Sequence, residues 1–217
     1  MKNLILIAAP GAGKGTLSND ILEKYDYVHI STGDLLREQV AKGDELGKEI
    51  EKVQQSGGLV TNEIVYKALE QKLQDPKCDN GYILDGFPRN LEQAKEYDKI
   101  LKKSNRDLGL VLVLDIPKED LIKRITGRFS CKECGEIHNI YSRELKPKKE
   151  GKCNKCGGEL IQRKDDNLES FEKRYQTYLE STKPLIDFYK KKGVLHVIDS
   201  SKGHTNTLKQ AEKLFNE

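Results

Sequence analysis

The stretch Ile7-Ala-Ala-Pro-Gly-Ala-Gly-Lys-Gly-Thr-Leu17 is the part of the sequence that decides the fold class. It follows a short apolar, β-favouring run, and helical spacing of apolar residues begins at Thr16. A phosphate-binding loop needs inward-facing N–H groups, glycines that permit a tight turn, a lysine and a helix N-terminus. The stretch departs from the pattern G-x-x-x-x-G-K-[ST] at Ala8 and at Gly15. Taken alone, it fits either a nucleotide site or a plain strand-to-helix turn.

Length and composition limit the class of protein. A chain of 217 residues is long enough for one large domain that carries insertions. Charged residues make up 34% of the chain but leave a net charge of only +3, which argues against a protein that coats nucleic acid. No apolar run approaches the roughly 18 residues of a membrane span, and nothing at the start resembles a leader. We therefore expect a soluble, cytoplasmic protein with neither nucleic acid nor membrane as a partner.

Short apolar runs separated by helical patterns predict the strands of a sheet. They lie at residues 4–7, 27–30, 82–84, 110–115 and 194–198. Runs that are apolar almost throughout, without alternation, are typical of parallel strands buried on both faces. The pattern therefore predicts an α/β fold with a five-stranded parallel sheet.

Two segments interrupt the alternation and are predicted to be insertions on the sheet core. Residues 32–61 carry helical patterns without a strand, whereas residues 128–164 are rich in lysine, glycine and cysteine. The core then consists of residues 1–31, 62–127 and 165–217. Asp165 and Asp166 offer N-caps for the long helix that follows, and Pro184 is expected to kink or divide that helix.

Four of the five cysteines form two C-x-x-C pairs, Cys131 with Cys134 and Cys153 with Cys156. This spacing is typical of a four-cysteine zinc ribbon, and in a chain that is not exported it favours metal over disulfides. Four protein ligands leave no position for water on a tetrahedral ion. We therefore expect a structural Zn²⁺ that stabilises a segment too short and polar to build its own core. Cys78 is predicted to be an unpaired thiol.

Arginine is scarce in this chain, since only eight of the 38 cationic residues are arginines. A guanidinium group offers phosphate a planar, permanently charged fork, so arginines in a lysine-rich chain are candidates for phosphate binding. Six of them fall within the motifs described next, namely Arg37, Arg89, Arg124, Arg128, Arg163 and Arg174. The other two, Arg106 and Arg143, are expected to form ordinary ion pairs.

Several motifs, in this order, resemble those of adenylate kinases, and the resemblance covers nearly the whole chain. Adenylate kinases carry G-K-G-T in the glycine loop, as residues 13–16 do here. Gly15, which departs from the general phosphate-loop pattern, therefore resembles the residue that this family has there. The other family-like stretches are Ser31-Thr-Gly-Asp-Leu-Leu-Arg37, Gly58-Leu-Val-Thr61, Leu84-Asp-Gly-Phe-Pro-Arg89 with Gln93, Arg124-x-x-Gly-Arg128, and Gln162-Arg-Lys-Asp-Asp166 with Arg174. The resemblance implies a P-loop three-layer fold in which residues 32–61 form an AMP-binding insertion and residues 128–164 a zinc-bearing lid.

The resemblance also implies the reaction MgATP + AMP ⇌ 2 ADP, carried out by a monomer with Mg²⁺ on the ATP. Because an AMP phosphate oxygen is already ionised, catalysis would need no base and would rest on positioning, electrostatic stabilisation and lid closure. The residues implied as catalytic are Lys14, Arg89, Arg128, Arg163 and Arg174. The implied ATP contacts are Gly11, Ala12, Gly13, Lys14, Gly15, Thr16, Arg124 and Arg128. Asp85 would hold magnesium through water.

By the same resemblance, AMP would contact Thr32, Arg37, Gly58, Leu59, Val60, Gly86, Phe87, Pro88, Arg89, Gln93, Arg163 and Arg174. Thr32 and Gln93 match the residues of family members that act on AMP. Asn90 is commoner in pyrimidine kinases, although it is not expected to touch the base. Three alternatives stay open: a UMP/CMP kinase, a GTP:AMP phosphotransferase of the same fold, and a zinc-ribbon nucleic-acid-binding protein with an ATPase core.

The sequence departs from the family at three places. Ile137 and His138 are implied as ATP contacts, although one residue fewer than usual precedes the histidine. Lys202 is implied as a neighbour of adenine, although Asp199-Ser-Ser-Lys202 replaces the usual D-G-x-x turn. Ala8 is expected to be tolerated in the phosphate loop, provided that its backbone has a negative φ.

Overall fold

The computed structural model describes residues 2–55, 60–163 and 166–215. The strands of the main sheet are β1 (Leu4–Ala8), β2 (Val28–Ser31), β3 (Tyr82–Asp85), β4 (Leu110–Asp115) and β8 (Leu195–Asp199). They are parallel and lie side by side in the order β2-β3-β1-β4-β8. All five predicted strands are present, and the prediction of an α/β fold with a five-stranded parallel sheet is confirmed.

Helices cover both faces of this sheet, which gives three layers. They are α1 (Lys14–Leu22), α2 (Thr32–Lys42), α3 (Glu45–Gln55), α4 (Asn62–Lys72), α5 (Leu91–Lys103), α6 (Lys118–Thr126), α7 (Leu168–Thr177), α8 (Pro184–Lys191) and α9 (His204–Phe215). One face is covered by α1, α6, α7 and α9, and the other by α4, α5 and α8 with parts of α2 and α3. Within the described ranges, no helix is long and apolar enough to cross a membrane.

The packing of β1 explains why the strands lack polar alternation. Leu4 and Leu6 point into the core on the α1 side, whereas Ile5 and Ile7 point into the core on the α5 side. Each of these side chains is at most 3% exposed. Complete burial of one such side chain stabilises the fold by about 1.5–3 kcal/mol, so apolar residues are favoured at every position of a strand covered on both faces.

The first insertion is helical, as its sequence pattern predicts. Leu35 of α2 and Ile50 of α3 are buried in the same core cluster as the sheet. Asp44 caps α3, because its Oδ1 accepts the N–H of Gly47 at 2.8 Å. A Cβ at Gly47 would lie 2.2 Å from the carbonyl oxygen of Gln39, so glycine is what allows α3 to approach α2 closely. Residues 56–59, which include the turn-favouring sequence Ser56-Gly-Gly58, lie outside the described residues.

The second insertion contains a small antiparallel sheet and is called the lid below. Its strands are β5 (Arg128–Cys131), β6 (Ile137–Asn139) and β7 (Leu160–Ile161), in the order β6-β5-β7. The buried cluster within the lid consists of Cys131, Cys153 and Leu160, with Phe129 packed against it. Such a cluster is far too small to stabilise an independent fold, which agrees with the expectation of a metal-stabilised segment.

The helix after the lid begins differently from the prediction. Its N-cap is Asn167, whose side chain accepts the N–H of Ser170 at 2.9 Å. Asp165 lies outside the described residues, and Asp166 does not cap the helix because its carboxylate binds Arg128. Asp166 therefore forms an ion pair with Arg128 instead of the helix cap that the sequence pattern predicts.

Pro184 divides the helical pattern, as predicted. Helix α7 ends at Thr177, a π-helical turn spans Tyr178–Thr182, and Pro184 is the first residue of α8. Proline fits the first helical position because the N–H that it lacks would have no partner within the helix.

Candidate active site

The glycine loop between β1 and α1 has the backbone of a phosphate-binding loop. Gly11 and Gly13 have φ values of +86° and +101°, which side-chain-bearing residues rarely adopt. A Cβ at Gly11 would also lie 2.9 Å from Cγ1 of Ile125. Helix α1 begins at Lys14, immediately after this turn, so its free N–H groups face the loop.

The two departures from the common loop pattern are accommodated differently. Ala8 is the last residue of β1, where it pairs with Leu114. Its φ is negative, since Asn105 alone among the non-glycine residues of the described chain has a positive φ. The expected condition for tolerating its methyl group is therefore met. Gly15 lies in α1 beside the cavity, and a Cβ there would meet no atom within 4 Å.

Lys14 lies at the centre of a cationic region. Its Nζ lies 3.4 Å from the carbonyl oxygen of Ala8. Burial lowers the pKa of its ammonium group, and the charges of Arg89, Arg174 and Arg128 lower it further, while Asp85 opposes them. Several cationic side chains around a buried ammonium group form a site that favours anions.

Asp85 is the carboxylate that faces these cations. It is the last residue of β3, next to the phosphate loop. Burial alone would raise the pKa of its carboxyl group, but His29 and the charge of Lys14 outweigh burial, so the pKa is lowered. His29 Nε2 lies 3.7 Å from the carboxylate. Asp85 therefore stays ionised near neutral pH and offers oxygen ligands to a hard cation.

A cavity of about 610 Å³ opens at the carboxyl end of the parallel strands. This is the edge of an open α/β sheet at which ligands bind. The residues predicted from the sequence that line it are Gly11, Ala12, Gly13, Lys14, Gly15, Thr16, Thr32, Asp85, Gly86, Pro88, Arg89, Arg124, Arg128, Ile137, Arg163 and Arg174. The tertiary structure thus brings together residues spread over more than 160 positions of the chain.

Two of the cavity arginines are held in place by neighbours. Arg89 donates from Nε to the carbonyl oxygen of Gly86 at 2.7 Å, and its Nη2 lies 3.5 Å from Oγ1 of Thr32. Arg128 donates from Nε to Oδ2 of Asp166 at 2.8 Å and from Nη2 to Oδ1. A guanidinium group whose orientation is fixed binds phosphate with less loss of side-chain entropy.

Arg124 and Ser200 form a link that the sequence motifs do not predict. Arg124 Nη1 donates to the carbonyl oxygen of Ala12 at 3.1 Å and to Oγ of Ser200 at 3.2 Å, and Nη2 donates to the Ser200 carbonyl oxygen. The Ser200 hydroxyl also donates to Ala12, at 2.8 Å. The available signal was the replacement of the usual D-G-x-x turn, because serine at position 200, unlike glycine, has a side chain that can reach the phosphate loop.

Other predicted contacts lie outside this cavity. Phe87 and Val60 pack in the core, and Gln93 accepts the backbone N–H of Arg89 at 2.7 Å while it donates to Asn62. Lys202 lines a second, smaller cavity beside Arg124. Arg37 is described but does not line the main cavity, whereas Gly58 and Leu59 lie outside the described residues.

Asn90 and Arg106 have the local roles expected of residues without a nucleotide contact, whereas the ion pair expected of Arg143 is not found among the described residues. Asn90 caps α5 by accepting the N–H of Gln93 at 2.9 Å. Arg106 pairs with Asp79 and binds two carbonyl oxygens away from the cavity. Arg143 lines the second cavity, not the first.

The four paired cysteines lie together in the lid, within 4.8 Å of one another. The Sγ atoms of Cys131 and Cys156 are 3.4 Å apart, and those of Cys134 and Cys153 are 3.7 Å apart. These distances exceed the roughly 2.05 Å of a disulfide bond and match four sulfurs around a tetrahedral ion at about 2.3 Å. The residues therefore fit a metal site.

The backbone around the cysteines also has the form of two metal-binding turns. Gly135 and Gly157, which follow the two pairs, have φ values of +73° and +75°. Each donates its N–H to the carbonyl oxygen of the first cysteine of its pair, at 3.1 Å and 3.0 Å. The two turns thus have the same hydrogen-bond pattern, and Cys78 remains outside the cluster as a buried free thiol.

His138 lies against this cluster and not in the nucleotide cavity. Its Nε2 lies 3.4 Å from Sγ of Cys153, its Nδ1 lies 3.2 Å from the carbonyl oxygen of Leu145, and the residue is 3% exposed. Ile137, the preceding residue of β6, lines the cavity instead. Successive strand residues point to opposite faces, so the two adjacent residues implied as ATP contacts cannot both face the nucleotide.

A glycine loop at the carboxyl edge of a parallel sheet, beside a cavity lined by lysine and arginine, defines a P-loop protein that binds nucleotide phosphates. A family model described as adenylate kinase matches residues 6–194. The chain is 46% identical to the adenylate kinase of Archaeoglobus fulgidus over 98% of this chain and 97% of that protein. It is 49% identical to that of Thermodesulfovibrio yellowstonii over 91% of both, and 40% identical to that of Thermosipho africanus over 96% of both.

The chain therefore belongs to the adenylate kinase family. Members of this family are nucleoside monophosphate kinases that use MgATP, so the chain is a phosphotransferase. The resemblance stated from the sequence is confirmed. The comparisons give no support to a pyrimidine nucleotide kinase, a GTP:AMP phosphotransferase or a nucleic-acid-binding ATPase.

Proposed function

We propose that the cavity binds MgATP and AMP together and transfers the terminal phosphoryl group of ATP to AMP, giving two ADP. The observation that supports this most directly is the arrangement of Arg89, Arg128 and Arg174 around Lys14 at one cavity. Two nucleotides bring several negative charges close together. Without fixed cations, the repulsion between these charges would keep the reacting groups apart.

The transfer requires no side-chain base. An ionised oxygen of the AMP phosphate attacks the γ-phosphorus of ATP, and the bond between that phosphorus and the β,γ-bridging oxygen breaks. One P–O bond forms, one breaks, and no proton has to move. The protein therefore contributes positioning, charge stabilisation and exclusion of water.

The cationic residues divide between the two nucleotides. Lys14 and the N–H groups of residues 11–16 hold the ATP phosphates, and Arg128 approaches them from the lid, while Arg124 lies against the adenine. The AMP phosphate and the phosphoryl group in transit are held by Arg89, Arg163 and Arg174. The remaining AMP contacts are Thr32, Arg37, Gly58, Leu59, Val60, Gly86, Phe87, Pro88 and Gln93.

Asp85 would hold the magnesium ion of MgATP through water. Its carboxylate lies at the end of β3, beside Lys14, and the lowered pKa keeps it ionised. Carboxylate and water oxygens are the ligands that Mg²⁺ prefers. A magnesium ion bound there would neutralise charge on the phosphate oxygens.

The metal of the four-cysteine site is proposed to be zinc with a structural role. Cys131, Cys134, Cys153 and Cys156 supply four thiolates, which suit Zn²⁺ and leave it no open position. A bound zinc ion would cross-link the two turns that carry the cysteine pairs and would take no part in phosphoryl transfer.

The proposed organisation is a core of residues 1–31, 62–127 and 165–217, with residues 32–61 binding AMP and residues 128–164 closing over ATP. We further propose that the enzyme acts as a monomer in the cytoplasm and needs neither nucleic acid nor a membrane. A closed lid would exclude water, so that ATP is not hydrolysed in place of AMP phosphorylation.

A coupled phosphotransfer assay with ATP and each of AMP, CMP, UMP and GMP tests the proposed function. ADP formation that requires AMP is the expected result, and Lys14→Ala should lower kcat by about 100-fold or more. Lys103→Ala is the matched control, since Lys103 forms an exposed ion pair with Glu70 far from the cavity. Turnover with CMP or UMP that equals or exceeds turnover with AMP would contradict the proposal, as would an unchanged kcat in Lys14→Ala.

A further inference from the structure

A carboxylate of the lid lies at the start of helix α9. Glu144, between β6 and β7, accepts the backbone N–H of His204 on Oε2 at 2.8 Å, and it also binds Thr205. The first N–H groups of a helix have no partner within the helix, so a carboxylate there acts as a cap and is favoured by the helix dipole. This cap comes from a residue 60 positions away.

The side chain of His204 strengthens the same contact. Its Nδ1 lies 2.9 Å from Oδ2 of Asp20, and its Nε2 lies 3.8 Å from Oε2 of Glu144. The hydrogen bond with Asp20 raises the pKa of the imidazole, and the charges of Glu144 and the more distant Glu136 add to this. Asp20 belongs to α1, the helix that begins at Lys14. The imidazole therefore lies between a carboxylate of the phosphate-loop helix and a carboxylate of the lid.

Gly203 makes room for the carboxylate. A Cβ at this position would lie 2.4 Å from Oε2 of Glu144, and its φ of +93° also favours glycine. The missing side chain leaves room for the Glu144 carboxylate, and the backbone conformation favours glycine independently of it.

The contact joins two walls of the nucleotide cavity. Gly203 and His204 line it from the core, and Ser142 and Leu145 line it from the lid on either side of Glu144. This core segment adjoins the phosphate loop, since His204 pairs with Asp20 of α1 and the Ser200 hydroxyl donates to the carbonyl oxygen of Ala12. The contact thus lies on the side of the cavity that the proposed function assigns to ATP.

We propose that Glu144 is a positioning residue for the donor nucleotide, which holds the lid against the ATP side of the cavity by capping α9. The inference rests on the proposed function, because that function places ATP on this side. Glu144 does not touch the reacting atoms. If ATP binds to the arrangement in which the lid meets α9, loss of a contact that favours this arrangement weakens ATP binding and leaves AMP binding unchanged.

Calorimetric titration of ATP and, separately, of AMP tests the inference in the full-length protein. Glu144→Ala should weaken ATP binding about fivefold, which corresponds to ~1 kcal/mol, and should change AMP binding less than twofold. Glu144→Gln should have an ATP affinity between those of the wild type and Glu144→Ala, because its amide oxygen still accepts a hydrogen bond but lacks the charge. Steady-state kinetics should show a raised KM for ATP with little change in kcat or in the KM for AMP.

Glu23→Ala is the matched control. Glu23 of the core pairs with Lys155 of the lid, but both side chains are more than half exposed, so its removal should leave ATP binding within twofold of the wild type. ATP binding within twofold of the wild type in both Glu144 variants, or an equal loss of ATP and AMP binding, would overturn the inference. If Glu144→Ala does not fold, Glu144→Gln carries the same comparison. Failure of the wild type to bind ATP would instead overturn the proposed function itself.

Discussion

Arg128 of the lid binds Asp166 through two hydrogen bonds, one of them 2.8 Å long, and thereby joins the first residue of β5 to the segment that leads into α7. The Asp166 side chain is fully buried, whereas Arg128 keeps 18% of its side chain exposed toward the cavity. The buried carboxylate therefore fixes the orientation of a cation that the proposed function places on the ATP phosphates.

Asp166→Ala is expected to lower kcat about tenfold, equal to ~1.4 kcal/mol, because Arg128 loses the partner that orients it. Loss of one partner of a buried pair should also destabilise the fold by about 3 kcal/mol. Asp166→Asn, which keeps the shape and one acceptor, should show a smaller loss of kcat. Steady-state kinetics and denaturant unfolding measure the two effects, and an unchanged kcat in Asp166→Ala would show that the orientation of Arg128 does not matter.

Ala8→Gly is expected to change kcat/KM less than tenfold, a limit of ~1.4 kcal/mol. Ala8 already has a backbone conformation open to all residues, so glycine adds only flexibility within a strand, at a cost of about 0.5–1 kcal/mol in stability. Gly13→Ala provides the contrast, since its φ of +101° strains any side chain and should reduce ATP binding strongly. A change beyond tenfold in Ala8→Gly would show that the methyl group matters to the phosphate loop.

Arg106→Ala should reduce stability and leave catalysis intact. Its guanidinium donates to the carbonyl oxygens of Leu73 and Cys78 at 2.9 Å and 3.1 Å and pairs with Asp79 at 2.6 Å. Removing it leaves two carbonyl groups without these donors. The free energy of unfolding should fall by about 2 kcal/mol, which lowers Tm by about 4–8 °C.

Arg143→Ala is the control for that Tm measurement, because Arg143 is an exposed arginine of the lid. Its Tm should match that of the wild type. A fall in kcat of Arg106→Ala at temperatures where it is fully folded would contradict the assignment of Arg106 to structure.

Removal of the metal should lower Tm by about 5 °C or more before it abolishes the main sheet, because the lid has little apolar core of its own. Elemental analysis of protein produced with zinc should give one zinc per chain, and Cys134→Ser should lose it. Cys78→Ala should keep its zinc, since Cys78 lies outside the cluster. Protein without stoichiometric zinc would contradict the proposed zinc site.

The contribution of His204 to stability should fall as pH rises. Its pKa is raised in the folded state, so its ion pairs contribute fully below about pH 6.5, and that contribution is lost as pH passes the raised pKa. Asp20, Glu144 and Glu136 are the carboxylates that face it. The difference in Tm between the wild type and His204→Asn should therefore be largest near pH 6 and shrink toward pH 9. A difference that does not change over this range would show that the ion pairs of His204 do not contribute to stability in this way.

Local patterns were enough to predict the main sheet and the chemistry of two sites. The strands are apolar at every position because both faces are covered, and this leaves a pattern that can be recognised in a few residues. The phosphate loop and the cysteine pairs are also local, since glycines at positive φ and paired thiols occupy neighbouring positions. These features were predictable because their physical causes act over short stretches of chain.

Which polar groups meet was decided by the tertiary structure alone. Asp166 was expected to cap a helix but binds Arg128, and His138 was expected near ATP but lies against Cys153. The link between Arg124 and Ser200 spans 76 positions, and the replaced turn at Ser200 does not indicate which residue its side chain meets. Buried polar groups take whichever partner the packing brings within hydrogen-bond distance, because an unpaired buried group costs about 1–3 kcal/mol.

The sequence by itself determined the class of fold, the phosphate loop, the cysteine pairs and the family, because these depend on residue type and spacing. The tertiary structure decided which cations share one cavity, which side of β6 faces it, and that Glu144 of the lid caps α9. Those relationships depend on how distant elements pack, and a hydrogen bond forms only when packing brings its two atoms to about 3 Å.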